Sequence, residues 1–220
     1  MLFSLRRPER LAATAGLAGA LALTLPSIGA AAASHNRPHY PVASPKVTYA
    51  VADTPYAKLP KVPSFSLTSR DVSTGKQLPA AQRSGVGGNA SPQLSWKGFP
   101  AGTKSFTVTV YDQDAGTGSG FWHWAVYNIP ATTTSLPTGA GTPNSPELPA
   151  GAVQAPGDAG FGGYAGAAPP AGQTHRYFIT VTALSVEKIN LPPTASPALI
   201  GAVTSASTLA RAALVPLATN

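Results

Sequence analysis

A mainly β fold, an antiparallel sandwich with one late helix, is what this sequence predicts, and three observations predict it. The 220 residues include 23 Pro and 22 Gly but only 10% charged side chains, a composition that leaves little material for long, ion-paired surface helices. Short segments of alternating apolar and polar residues recur between turn-forming clusters. Hydrophobic residues reach 43%, enough to fill a core, so the Pro and Gly load marks turns rather than disorder. The length allows one domain with accessory segments and excludes two large domains.

Residues 1–33 read as a secretory signal peptide: Arg6, Arg7 and Arg10, an apolar run from Leu11 to Leu25, then small residues ending Ala31-Ala32-Ala33. Cleavage is expected after Ala33. Pro8-Glu9-Arg10 follows the arginine pair where a twin-arginine signal prefers an apolar residue, which favours the general secretory route. As a retained membrane helix, the alternative, the apolar run is short and Ala/Gly-rich. Residues 34–60 are rich in Pro, Ala, Ser and Lys without periodicity and read as a linker or wrapped arm, with His35 and His39 solvated in it. The folded domain is expected over 61–216.

Within it, Phe65–Ser69 alternates apolar and polar residues before the turn formers Asp71, Ser73 and Gly75. Lys104–Tyr111, with Phe106, Val108 and Val110 on one face and Thr107 and Thr109 on the other, is the clearest strand; Trp122–Ile129 and Tyr177–Ala183 follow. Pro130, Pro137, Pro143, Pro146 and Pro149 predict a long irregular connection. From Ser196 to about Ala213, Leu199, Ile200, Val203 and Leu209 form a partial apolar stripe behind Pro197, which suits a helical first turn.

The composition also limits the chemistry. Absence of cysteine removes disulfides, thiolate metal sites and cysteine nucleophiles. The net charge of +7 comes from singly scattered Lys and Arg, without the clusters that nucleic-acid binding uses. Gly85-Val86-Gly87-Gly88 lacks the Lys-Ser/Thr end of a phosphate-binding nucleotide loop, and Ser119 stands outside any nucleophile-elbow pattern. Asn89-Ala90-Ser91 is formally a glycosylation sequon, but Pro92 follows directly and a structural turn is the better reading. Asp112, Asp114, His123 and His175 remain, all near expected strand ends. Two carboxylates and two imidazoles are of a kind that suits zinc or iron, although the spacing does not define a metal site, and a pair of acidic residues there also fits a turn. Imidazoles, a tyrosine hydroxyl and backbone amides of the Gly-rich loop 157–172 would equally suit an anion.

Four ordered elements over residues 65–185 resemble one known family. Gly88-Asn89-Ala90-Ser91-Pro92-Gln93-Leu94-Ser95-Trp96 is similar to the G-x-N-x-S-P-x-L-x-W element of the phosphatidylethanolamine-binding protein family, in its bacterial Raf-kinase-inhibitor-like branch (YbhB/YbcL-type). Tyr111-Asp112-Gln113-Asp114-Ala115 resembles its D-x-D-A-P element, and Phe121-Trp122-His123-Trp124 through Asn128-Ile129-Pro130 its W-H-W-x-x-x-N-I-P strand. Asp158, Gly160 and the run Tyr164 to Tyr177 resemble its D-x-G and Y-x-G-P-x-P-P-x-G-x-x-H-R-Y signature.

The resemblance implies a β-sandwich with a C-terminal helix and a small anion pocket at one end. Carried over by motif position, Asp112, His123, His175 and Tyr177 line that pocket, Phe121 forms an aromatic wall, and Ala168 and Pro170 form the loop rim. Asp114 and Arg176 are expected to support it as an ion pair. Gly116 and Ala167 stand where the family usually has proline, which is expected to loosen the rim without removing a donor. The expected function is an exported, non-catalytic protein that holds a phosphate-type anion or phospholipid headgroup, without metal or other cofactor and with peripheral membrane contact left open. Two alternatives remain: a protease-inhibitor-like protein that meets an envelope partner through surface loops, and a hydrolase using the Asp/His cluster as a metal or acid/base centre.

Overall fold

The structure, a computed structural model, describes residues 54–85 and 88–220. The expected signal peptide, most of the expected linker with His35 and His39, and Val86-Gly87 lie outside the described residues. Among the described residues, nine strands and one α-helix follow in chain order: β1 Ser66–Thr68, β2 Leu94–Lys97, β3 Ser105–Asp112, β4 Phe121–Pro130, β5 Ser135–Leu136, β6 Val153–Gln154, β7 Thr174–Leu184, α1 Pro197–Thr204, β8 Thr208–Leu214 and β9 Leu217–Thr219.

Two antiparallel sheets pack face to face. The larger runs β6-β4-β3-β7-β8, and the smaller β1-β2-β5. Phe106, Val108 and Val110 of β3, Trp124 and Val126 of β4, and Ile179 and Val181 of β7 point inward, as the alternation in the sequence requires, and meet Leu94, Trp96 and Leu136 of the smaller sheet. Trp96 and Phe99 both meet the Phe106 ring edge-on, at 5.4 and 4.8 Å between centroids. The opposite face of the larger sheet is covered on the β4 side, where Ile200 of α1 packs with Ala125, Tyr127 and Ala155.

The predicted strands form, and the helix is shorter than predicted. Ser196 caps α1 by accepting from the Leu199 amide at 3.2 Å, and Pro197 occupies the first turn. The helix stops at Thr204, where Thr204, Ser207 and Thr208 turn their hydroxyls onto backbone carbonyls of the preceding turn. Beyond it a 3-10 turn covers Ser205–Ser207, and the rest of the expected helix is strand β8, in which Ala210 and Ala212 are buried with period two. The connection after Pro130, expected to be irregular, contributes the short strands β5 and β6.

Strands β8 and β9 are one edge strand interrupted at Val215-Pro216. Leu214 faces Ile179 and Leu217 faces Arg176, so a single register along β7 spans the break, where the Tyr177 amide donates to the Pro216 carbonyl. Ordered pairing therefore reaches Thr219, past the boundary expected at 216. Packing also starts before residue 61: Tyr56 donates to Thr180 Oγ1 at 2.6 Å, lies edge-on to Phe178 and carries the Arg211 guanidinium over its ring at 4.8 Å. The last residues of the expected linker thus pack on the sheet. Among the described residues, no helix is long and apolar enough to cross a membrane.

Candidate functional site

Because β3 runs antiparallel to both its neighbours, its last residue meets the first residues of β4 and β7 at one end of the larger sheet. Asp112 pairs in register with Phe121 on one side and Tyr177 on the other. His175 lies two residues before Tyr177 and so shares its face. Sequence separations of up to 65 residues collapse to one rung of the sheet.

His123 reaches the cluster through a β-bulge. Val110 pairs with Trp124 and Tyr111 with Trp122, so β4 carries one extra residue between them, His123. The insertion sends Trp122 to stack on Tyr111, at 4.3 Å between centroids, while His123 packs at 4.8 Å from Phe121 and 5.1 Å from Tyr177. A strand of strict alternation would put Trp122 and Trp124 on one face and His123 on the other.

Each polar group of the cluster has a defined partner, with one exception. Asp112 accepts from the Asp114 amide through Oδ1 at 2.9 Å and from His175 Nδ1 through Oδ2 at 2.7 Å. The second nitrogen of His175, Nε2, meets Gln173 Oε1 at 3.0 Å. His123 Nδ1 lies 2.8 Å from the Ala165 carbonyl, which can only accept, so Nδ1 carries the proton and the neutral ring presents a bare Nε2. Burial pushes the His123 pKa down against the pull of that carbonyl and of Asp112 and Asp158. The exception is the Tyr177 hydroxyl, which is buried without a hydrogen-bond partner. Burial first and the neighbouring Asp112 carboxylate second push its pKa up, so it stays a protonated donor.

Asp112, His123, His175 and Tyr177 are all buried, Phe121 is half-buried, and Ala168, Pro170 and Gln173 are exposed at the rim. Of the sequence-predicted lining, Asp112, His123, His175, Tyr177 and Phe121 are brought together at this strand end, while Ala168 and Pro170 lie exposed on the loop before β7. Asp114 and Arg176 also meet, with Arg176 donating from its amide and Nε to Oδ2 at 2.8 and 2.9 Å and from a terminal nitrogen to Oδ1 at 2.6 Å. Burial disfavours the Asp114 charge, but these bonds and the guanidinium outweigh it and hold its pKa below the usual carboxylate range. Surface clefts of about 680 and 530 Å³ lie away from this cluster, which stands out by its chemistry rather than its size. Among the described residues, no group of three or more His, Asp or Glu is placed to hold a metal ion.

Several residues that hold the site have no assigned role in the sequence reading. The Ala165 amide donates back to the His123 carbonyl at 2.9 Å, and Asp158 grips Trp122 by accepting from its amide at 2.8 Å and donating to its carbonyl at 3.0 Å. Gly157 must be glycine here, since a Cβ would lie 2.6 Å from the Trp122 carbonyl oxygen. Asn89, at φ 53°, accepts from the Gly166 amide, and Ser91 Oγ accepts from the Gly141 amide, each at 2.8 Å. The Asn-x-Ser element is thus a loop clamp, in keeping with its reading as a turn. Ala167 corrects the expectation of a loosened rim: it is buried, its amide donates to the Gln82 carbonyl at 3.1 Å, and its carbonyl accepts from Ser84. Proline there could not donate that bond, so the substitution fixes the loop instead. Gly116 is exposed, with open space where a side chain would stand.

Comparison with known proteins bears on the family and the fold. The family model for phosphatidylethanolamine-binding proteins matches residues 68–218. Escherichia coli (strain K12) YbcL is 49% identical over 159 residues, 70% of this chain and 87% of YbcL. YbhB of the same strain is 49% identical over 141 residues, 62% of this chain and 89% of YbhB. The crystal structure of E. coli YbcL, described as a new member of the mammalian PEBP family, matches with a TM-score of 0.68 at 48% identity over 71% of this chain and 99% of that one.

Proposed function

This chain belongs to the phosphatidylethanolamine-binding protein family, and we propose that it is an exported, non-catalytic protein that holds a phosphate-type anion or phospholipid headgroup among Asp112, His123, His175 and Tyr177. The observation that carries this reading is the Tyr177 hydroxyl, a buried donor outside hydrogen-bond geometry to any neighbour, beside the bare Nε2 of the neutral His123 ring. A buried hydroxyl without a bond costs roughly 1–3 kcal/mol, and an incoming oxyanion would recover that cost. Protonation of His123 at Nε2 adds a second, charged donor beside it. Asp112, in contact with His175, fixes that ring rather than meeting the anion. Nothing in this arrangement supplies a nucleophile with a base aimed at it, which favours binding over turnover. Export would follow from residues 1–33, and cleavage after Ala33 is read directly from the N-terminal mass of the secreted protein.

The test is calorimetric titration with inorganic phosphate, phosphoethanolamine and acetate at pH 6 and pH 8, together with Tyr177→Phe and elemental analysis for metal. Saturable heat with proton uptake, larger at pH 6 and reduced at least about tenfold in affinity by Tyr177→Phe, is expected. The same variant should unfold no earlier than the parent without ligand, because it removes an unsatisfied hydroxyl. No heat with any of the three anions would overturn the reading and turn attention to surface-loop recognition of a protein partner.

A further inference from the structure

We propose that Gln173 is an internal gate of this pocket: its side-chain amide occupies the outer nitrogen of His175 in the unliganded protein, and an anion oxygen reaches that nitrogen only by displacing it. The proposal rests on the anion-binding reading above. Both ring nitrogens of His175 are engaged, Nδ1 with Asp112 Oδ2 at 2.7 Å and Nε2 with Gln173 Oε1 at 3.0 Å, and the imidazole is 5% exposed. A direct bond from His175 to a ligand therefore needs one of those partners to leave.

Asp112 cannot leave without cost. It is buried, it bears the second bond to the Asp114 amide, and its removal from His175 would strand a charge. Gln173 can. It is exposed at the rim, and among the described residues His175 is the single partner of its side-chain amide. Its backbone is held separately, the amide donating to the Pro170 carbonyl at 3.1 Å and the carbonyl accepting from the Asn220 amide at 3.4 Å. The side chain is thus free to swing on a fixed hinge between Pro170 and the β9 end of the chain.

The chemistry of a primary amide suits a gate. Its oxygen accepts from a protonated Nε2, and rotated by half a turn its nitrogen donates to a bare one, so the unliganded site stays satisfied in either state of the ring. An oxyanion competes only with the oxygen end, and there it replaces a bond from a charged ring to a neutral amide with one between opposite charges, which is stronger. Water, a weaker acceptor, is kept off His175. The ligand chemistry selected is a phosphate oxyanion, whether free or part of a headgroup.

Two substitutions at this exposed position should act in opposite directions, which a merely structural role would not produce. With inorganic phosphate as probe, Gln173→Ala is expected to tighten binding about threefold to tenfold, and Gln173→Glu to weaken it at least about tenfold by placing a carboxylate on the same nitrogen. The ¹⁵N resonance of His175 Nε2, recorded without ligand, should move in both variants. Affinity lowered by both substitutions, or an Nε2 resonance unchanged in Gln173→Ala, would overturn the gate. If the parent protein takes up neither phosphate nor phosphoethanolamine, the binding reading fails by itself, and the Nε2 resonance still decides whether Gln173 caps His175. Phosphoethanolamine run in parallel distinguishes a headgroup from free phosphate by relative affinity.

Discussion

At His123, a single backbone carbonyl decides what the ring can offer. Ala165 takes the Nδ1 proton, so Nε2 is a lone pair in the neutral ring and a donor only in the charged one. The same logic of one partner fixing the chemistry of another holds for Asp114 and Arg176, whose fork-to-fork geometry places a charge pair next to Asp112 and His175 in sequence. Asp114→Asn is expected to cost roughly 2 kcal/mol of stability, discounted because that carboxylate is partly exposed. In a double-mutant cycle with Arg176→Met, denaturant unfolding should return a coupling of at least about 1 kcal/mol. Additive losses would mean that the pair is geometric only.

At the scale of elements, irregularities in the strands do more for the site than the strands themselves. The bulge at His123 turns one imidazole inward, and a second irregularity farther along β4, at Asn128 with φ 59°, lets that side chain clamp Ile189 by donating to its carbonyl at 3.1 Å and accepting from its amide at 2.7 Å. The segment before β1 behaves as an added element rather than a tether. Tyr56→Phe removes the hydroxyl bond to Thr180 and should cost about 1 kcal/mol; Tyr56→Ala also removes the ring from Phe178 and Arg211 and should cost about 2–3 kcal/mol. A chain starting at residue 61 should unfold earlier than one starting at residue 48 by a similar margin, as read by thermal melting. Equal midpoints would make the arm a passenger.

Across the whole molecule, the protonation of His123 and Asp114 is linked to stability. The folded-state pKa of His123 lies below its ordinary value of about 6.5, so the unfolded chain binds the proton more readily; the His123 contribution is complete above about pH 6.5 and is lost as pH falls toward the folded value. Asp114 is depressed too, so its contribution holds above about pH 4 and is lost as pH falls through its folded pKa. Acidification should therefore destabilise the unliganded protein in two steps. Phosphate held as proposed would favour the charged imidazole and offset the first: the rise in melting temperature at saturating phosphate is expected to be larger at pH 6 than at pH 8, by several degrees. A rise independent of pH would separate His123 from the anion.

Fold class, the three long strands and the capped start of α1 are legible in the chain alone, and the motif resemblance adds Asp112, Phe121, His123, His175 and Tyr177 as neighbours, because period-two burial and ordered motifs are local properties of the chain. Phe106, Val108 and Val110 could only be one face of a strand, and Ser196-Pro197 could only begin a helix cheaply. Tertiary structure decided the rest. Thr208–Leu214 left the helical pattern because β7 offered an unpaired edge, and a seven-residue stretch gains more from pairing there than from extending a Ser/Thr-rich helix. The short strands β5 and β6 exist only because β2 and β4 lie beside them. Gln173 and the Ala165 carbonyl carried no signal, since an exposed glutamine and a backbone oxygen become functional only when long-range pairing brings His175 and His123 to them. What a residue can be is written locally; what it touches is fixed by which strand ends the sheet brings together.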